Sequence, residues 1–162
     1  MTIAFESPDQ PDVIALIAEL DAYQDTLYPP EARYALDLAA LCRPNVLFAV
    51  ARDAAGTALG CAAVVLTPSH GEIKRMFVRP AARGQGLAGQ LLQVLEREAI
   101  ARGCPQLLLE TGPRQPEAIA FYESQGFARC GPFGDYADHP LSVFMGKRIG
   151  APGATAAGKP PA

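Results

Sequence analysis

VRPAARGQGLAGQLL, residues 78–92, carries three glycines at the spacing G-x-G-x-x-G. These are Gly84, Gly86 and Gly89, and they separate a strand-like stretch from a helical pattern that begins at Leu87. In dinucleotide-binding folds the same spacing marks a tight turn that holds a pyrophosphate against a helix N-terminus. The stretch therefore predicts a strand, a glycine loop and a helix that bind a pyrophosphate, and it leaves open which molecule supplies that group.

A nicotinamide dinucleotide is the first ligand to consider, because a strand precedes the loop and Glu110 follows it by about twenty residues. However, five residues, 79–83, separate that strand from Gly84, whereas the dinucleotide turn follows its strand almost directly. The strand, EIKRMFV at 72–78, also carries charges that a central strand buried on both faces does not tolerate. About fifty residues follow Glu110, which is too few for the rest of such a fold. An NAD-dependent oxidoreductase therefore stays a rival interpretation only.

The composition limits the kind of protein that carries this loop. The chain has 162 residues, 49% of them hydrophobic, which fits one compact domain, and its net charge of −3 lacks the basic excess of nucleic-acid-binding proteins. We see no basic and apolar leader and no apolar run of about 18 residues, so we expect a cytoplasmic protein without membrane association. The four cysteines and two histidines lack metal-ligand spacing, so we expect reduced cysteines and no metal site.

The rest of the sequence alternates strand-like and helical stretches, as in an α/β (α+β) domain. The predicted strands lie at 2–6, 46–53, 58–67, 72–79, 106–112, 127–133 and 141–149. The predicted helices lie at 13–28, 31–42, from 87 to a stop at Gly103, and at 115–126. This single domain spans residues 1–149, and we expect the tail 150–162, rich in Gly, Pro and Ala, to be disordered.

The glycine loop is suited to an anion because its backbone N–H groups lie at the start of a long helix, where the helix dipole favours negative charge. Arg83 adds a positive charge at the edge of the loop. The G-x-x-x-x-G-K-[ST] pattern of nucleoside triphosphate sites is absent. The ligand is therefore expected to be a pyrophosphate without a magnesium site of that type.

Residues 83–88, RGQGLA, resemble the pattern [Q/R]-x-x-G-x-[G/A] with which the GNAT superfamily of N-acetyltransferases binds the pyrophosphate of acetyl-CoA. The strand at 72–78 and the helix EAIAFYESQGF at 117–127 also resemble that family, and the likeness covers about 46–149. It implies a mixed, mostly antiparallel twisted sheet of about six or seven strands flanked by about four helices. It further implies acetyl-CoA as cosubstrate and transfer of the acetyl group to a primary amine by direct attack in a ternary complex.

The resemblance also assigns the residues that bind acetyl-CoA. In the family, a bulge separates the strand before the loop from its parallel neighbour, and the pantetheine arm lies in that gap. The candidates are the backbone groups of Met76, Phe77 and Val78, the loop residues Arg83, Gly84, Gln85, Gly86, Leu87, Ala88 and Gly89, and the helix residues Gln115 and Phe121. Gln115 lies near the position where many relatives carry an Asn, so this contact departs from the family pattern.

Two residues match catalytic positions of the family. Tyr122 matches the tyrosine that protonates the departing thiolate, and its ordinary pKa near 10 resembles that of a thiol; the alternative is a core aromatic residue. Glu72 coincides with the general base of the histone acetyltransferase branch, and strand alternation predicts that it shares a face with Lys74 and Met76. The alternative for Glu72 is a solvated residue or an ion-pair partner. Glu110 either faces the amine or pairs with Arg114.

The acceptor is not identified by any of these patterns. Weaker candidates for an acceptor pocket are Tyr28, Tyr34, Arg75, Tyr136, Asp138 and His139. The main alternative to an enzyme is a non-catalytic acyl-CoA-binding sensor or regulatory module. Homodimerisation is common in the family, and the sequence leaves it open.

Overall fold

A computed structural model describes residues 1–34 and 36–150, so the predicted disordered tail, apart from Gly150, lies outside the described residues. Within them, seven strands form one sheet and four α-helices flank it. The elements are β1 (Thr2–Phe5), α1 (Pro11–Asp25), α2 (Leu38–Leu41), β2 (Val46–Arg52), β3 (Ala58–Leu66), β4 (Gly71–Val78), α3 (Leu87–Ala101), β5 (Gln106–Thr111), α4 (Pro116–Ser124), β6 (Ala128–Cys130) and β7 (Val143–Arg148). Among these helices none is long and apolar enough to cross a membrane.

The sheet has the strand order β1-β2-β3-β4-β5-β7-β6. Only β4 and β5 pair in parallel, and the other neighbouring strands in the described chain are antiparallel. The prediction of a mixed, mostly antiparallel α/β domain is therefore confirmed. The parallel pair is short, because β4 and β5 match only from Gly71 with Leu107 to Ile73 with Leu109. Beyond that point the two strands separate.

Two hydrophobic cores hold helices on opposite faces of the sheet. On one face, α1 contributes apolar residues at helical spacing, namely Val13, Leu16, Ile17 and Leu20. On the other face, α3 contributes Leu87, Leu91, Leu92, Leu95 and Ala99, and α4 contributes Ile119 and Tyr122. The strands therefore lie between two helical layers. The ends of β4 and β5 that separate from each other lie near both the glycine loop and α1.

The predicted helix at 31–42 is wrong as a continuous element. The chain forms a 3-10 turn at Pro30–Ala32, is extended at Arg33, and enters α2 only at Leu38. Two side chains explain the break. Asp37 caps the new helix by accepting a hydrogen bond from the Ala40 N–H at 2.8 Å, and Arg33 turns back to form an ion pair with Asp21 of α1.

A β-bulge in β4 changes the face on which its side chains lie. Cys61 pairs with Phe77 and Ala63 with Lys74, so one residue of β3 lies opposite two residues of β4. Arg75, one of those two, has a left-handed φ of +59°, which is rare for a residue other than glycine. Met76 consequently packs on the α3 side of the sheet, whereas Phe77 packs on the α1 side. The prediction that Met76 shares a face with Glu72 is wrong, because the inserted residue reverses the alternation.

Candidate active site

A cavity of about 510 Å³ lies where β4 and β5 separate. Its wall includes residues 73–78 of β4, residues 109–111 of β5 with Gly112 after them, part of α1 and the segment after it, and part of α4. In the described chain, β4 beyond Ile73 has no strand paired on the β5 side. Backbone groups there can therefore bond to an extended ligand as they would to another strand.

The glycine loop lies at one end of this cavity. Gly84 and Gly86 have φ of +82° and +77°, and Gly86 is the N-cap residue directly before α3. A Cβ at Gly84 would meet no atom within 4 Å, and a Cβ at Gly86 would meet only the Gln90 side chain at 3.9 Å. The space in front of both glycines is therefore open, and the N–H groups of the first turn of α3 have no partner within the helix. These features fit a bound pyrophosphate.

Nearly all of the residues predicted to bind the cosubstrate line this cavity or a second one of about 240 Å³ beside the loop. The larger cavity is lined by Met76, Phe77, Val78, Arg83, Gly84, Ala88, Gln115 and Phe121, and the smaller one includes Gly86, Leu87 and Gly89. Gln85 is the exception and lines neither. The Arg83 guanidinium is held in place, because its Nε donates to the Val78 carbonyl at 2.9 Å and it lies over the Phe77 ring.

Tyr122 lies on α4 with only 6% of its surface exposed. Its ring packs against Phe121 and Phe127, at centroid distances of 5.1 and 5.6 Å, and the residue also lines the larger cavity. Burial raises the pKa of Tyr122 well above its ordinary value. The phenol therefore keeps its proton at physiological pH and is a weaker acid than a tyrosine with the ordinary pKa near 10, so its acidity does not match that of a thiol as the sequence predicts.

Glu72 does not line either cavity; its side chain is 15% exposed and is already engaged. Its Oε2 accepts a hydrogen bond from the Tyr136 hydroxyl at 2.5 Å and forms an ion pair with the Lys74 ammonium at 3.3 Å. Lys74 in turn donates to Tyr136 and to the Tyr34 carbonyl. This arrangement matches the ion-pair alternative for Glu72, and its role as a base stays a prediction.

Glu110, at the end of β5, lines the larger cavity. Burial raises the pKa of Glu110 to about 7, and the nearby Glu72 acts in the same direction, while the Ser142 hydroxyl and the Lys74 ammonium oppose the shift. A carboxyl with a pKa of about 7 gains or loses its proton near neutral pH, where a general base is most effective. The Arg114 guanidinium, the alternative partner of Glu110, instead donates to the Leu27 carbonyl and lies over the Tyr28 ring.

Residues 14–127 match the sequence model of the acetyltransferase (GNAT) family. The chain belongs to the GNAT family of acetyltransferases. A protein of Azospirillum brasilense named IAA acetyltransferase is 50% identical over 151 residues, which are 92% of this chain and 98% of that protein. A structure from Klebsiella pneumoniae subsp. pneumoniae, that of a candidate acyl-CoA N-acyltransferase, matches with a TM-score of 0.78 and 40% identity over 91% of this chain and 97% of the other.

The GNAT fold also occurs in an aminoglycoside 6'-N-acetyltransferase complexed with coenzyme A, which matches with a TM-score of 0.72 at 17% identity, over 92% of this chain and 97% of the other. This GNAT enzyme uses acetyl-CoA as its cosubstrate, and binding of the acetyl-CoA pyrophosphate by the glycine loop stays a prediction. The open, left-handed glycines at the start of α3 fit that group. The NAD-dependent rival is thereby excluded, and the recognition made from RGQGLA is confirmed.

The wall of the larger cavity includes residues that sequence reasoning missed. Arg33 and Lys74 both line the larger cavity, as do the weaker candidates Tyr28, Tyr34 and Arg75. Of the other weaker candidates, Tyr136 lines neither described cavity but accepts a hydrogen bond from the Lys74 ammonium. Asp138 and His139 also line neither described cavity. No local signal identifies Arg33, because it reaches the site through the break between the 3-10 turn and α2.

Proposed function

We propose that this GNAT enzyme transfers the acetyl group of acetyl-CoA to a primary amine by direct attack in a ternary complex. One observation carries the proposal. A single cavity extends from the loop residues Arg83 and Gly84 to Tyr122 and Glu110, so that donor and acceptor have room to bind at the same time. Direct attack needs only that the amine and the thioester are held together in a reactive orientation.

Each chemical requirement of acetyl transfer has a candidate group in this cavity. The backbone of Met76, Phe77 and Val78, which has no paired strand on the β5 side, holds the pantetheine arm, and the Phe77 amide polarises the thioester carbonyl. Tyr122, neutral and adjacent to the cavity, donates a proton to the departing thiolate. Glu110 accepts the proton of the attacking amine. We assign that step to Glu110 rather than Glu72, because Glu110 lines the cavity and Glu72 does not.

Ligand-dependent thermal stability, followed by an assay of CoA release, tests the proposed function. A ligand that binds only the folded state raises the unfolding midpoint, and at one hundred times its Kd it adds about 2.7 kcal/mol of stability. We expect acetyl-CoA and free CoA to raise the midpoint and NADH to leave it unchanged. We then expect CoA release from acetyl-CoA with some members of a primary-amine panel. Binding of acetyl-CoA without CoA release from any amine would instead favour a sensor or regulatory module.

The pH dependence of turnover separates the two candidate bases. Glu110 accepts a proton only when it is ionised, so the wild-type rate should fall as the pH drops below about 7. Glu110→Gln should remove this acid limb and lower the rate above pH 7 about tenfold, a modest loss because water can also accept the amine proton. Glu72→Gln is the matched control and should retain the limb. An acid limb kept by Glu110→Gln and lost in Glu72→Gln would return the role to Glu72.

A further inference from the structure

Two arginines meet at one carboxylate beside the acceptor side of the cavity. Arg33 Nη2 and Arg75 Nη1 lie 2.9 and 2.6 Å from the same oxygen, Asp21 Oδ1. Arg33 comes from the extended segment before α2, and Arg75 comes from the bulge of β4 in its left-handed conformation. Both arginines line the larger cavity, whereas Asp21, which belongs to α1, does not line it. We call Arg33 and Arg75 the arginine pair.

The arginine pair has hydrogen-bonding capacity that the described residues leave unused. The side chains of Arg33 and Arg75 are 16% and 7% exposed, and in each the Nε is buried without a hydrogen-bond partner. Tyr28, which lines the same cavity, is also buried and its hydroxyl has no partner within the described structure. Buried donors are normally satisfied, so three unpartnered groups, each shielded from solvent, mark this wall of the cavity as incompletely hydrogen-bonded within the described structure.

The charges around the cavity favour an anionic ligand. Four cationic side chains line it, namely Arg33, Lys74, Arg75 and Arg83, against the two carboxyls of Glu110 and Glu117. Asp21 serves both members of the arginine pair, and the other ionic partner of Arg33, Asp25, has a side chain 64% exposed. An ion pair with so exposed a carboxylate is weak. Arg33 can therefore exchange Asp25 for an anion that enters the cavity.

We propose that the acceptor belongs to the class of free amino acids, whose carboxylate binds to the arginine pair while its amine faces Glu110. The inference rests on the proposed function and specifies its substrate class. A guanidinium binds a carboxylate through two parallel N–H groups, and Arg33 provides that arrangement when its Nη1 leaves the exposed Asp25. Tyr23, Tyr28 and Tyr34 line the same cavity and favour an apolar or aromatic side chain on the acceptor.

The test compares acceptors that differ only by the carboxylate. CoA release is measured with phenylalanine, tyrosine and leucine, and with phenethylamine, tyramine and isoamylamine, which lack the carboxylate. We expect kcat/KM at least about tenfold higher for the best amino acid than for its amine counterpart, since charge-assisted hydrogen bonds to a carboxylate are lost in the amine. Arg33→Gln should raise KM for the amino acid about tenfold, leave KM for the amine unchanged, and leave the affinity for acetyl-CoA unchanged.

Arg97→Gln is the matched control, because Arg97 is exposed on α3 and its replacement removes the same charge. It should change neither KM. Equal kcat/KM for an amino acid and its amine would overturn the inference and leave the proposed function standing, and this wild-type comparison requires no variant to fold. An equal loss on both acceptors in Arg33→Gln would show a structural role and would also overturn it. No CoA release with any acceptor would overturn the proposed function as well.

Discussion

Replacement of Gly86 with valine is expected to lower the affinity for acetyl-CoA by at least about a hundredfold while the fold is retained. Gly86 has a φ of +77° at the start of α3, and a Cβ there would project into open space instead of into the protein. A valine in this conformation costs about 1–2 kcal/mol, so the chain should shift toward ordinary dihedrals and rotate the N–H groups of the loop. Loss of two hydrogen bonds to a charged phosphate, about 1.5–3 kcal/mol each, accounts for the expected change in affinity.

Isothermal titration calorimetry with acetyl-CoA measures this effect, and Gly56→Val is its matched control. Gly56 has a φ of +86°, likewise has no atom within 4 Å of an added Cβ, and lies in the turn between β2 and β3, where it lines neither cavity. The control should lose a similar amount of stability and keep its affinity. If Gly86→Val bound acetyl-CoA as tightly as the wild type, the glycine loop would not be the pyrophosphate site.

Replacement of Tyr122 with phenylalanine is expected to lower turnover about a hundredfold without weakening the binding of acetyl-CoA. The change removes only the hydroxyl, because the ring packing against Phe121 and Phe127 is retained. Burial raises the pKa of Tyr122, so the residue carries a proton to donate throughout the pH range of the assay. Loss of a positioned general acid typically costs a factor of about 10² to 10⁴.

The measurement is single-turnover CoA release under conditions in which chemistry limits the rate, with the acetyl-CoA affinity and the unfolding midpoint as controls. Both controls should match the wild type, since no core contact changes. Acceptors whose amine is already neutral should show the same loss, because the hydroxyl acts on the leaving group and not on the amine. A Tyr122→Phe enzyme with undiminished single-turnover rate would assign Tyr122 to the core alone.

The two candidate carboxylates, Glu72 and Glu110, show where prediction from sequence ends. Alternation along 72–78 predicts one face for Glu72, Lys74 and Met76, but alternation holds only while every residue of a strand has one partner. The bulge at Arg75 depends on the pairing of β4 with β3 and reverses the face of Met76. The raised pKa of Glu110 arises from burial and, to a smaller degree, from Glu72 on the neighbouring strand β4, while Lys74 on the same strand opposes it. Neither the bulge at Arg75 nor the raised pKa of Glu110 can be predicted from residues that are close together in the sequence.

The amino-acid sequence by itself determined the strand, glycine loop and helix at 72–101, the α/β class and the GNAT membership, because these follow from residue spacing within short segments. The sequence also determined the position of Tyr122 within α4, because that position is a local feature. Only the tertiary structure decided which carboxyl reaches the cavity and that Arg33 and Arg75 share Asp21. The physical reason is that burial, charge pairing and strand separation are set by residues distant in the chain, which come together only when the sheet and its two helical layers have formed.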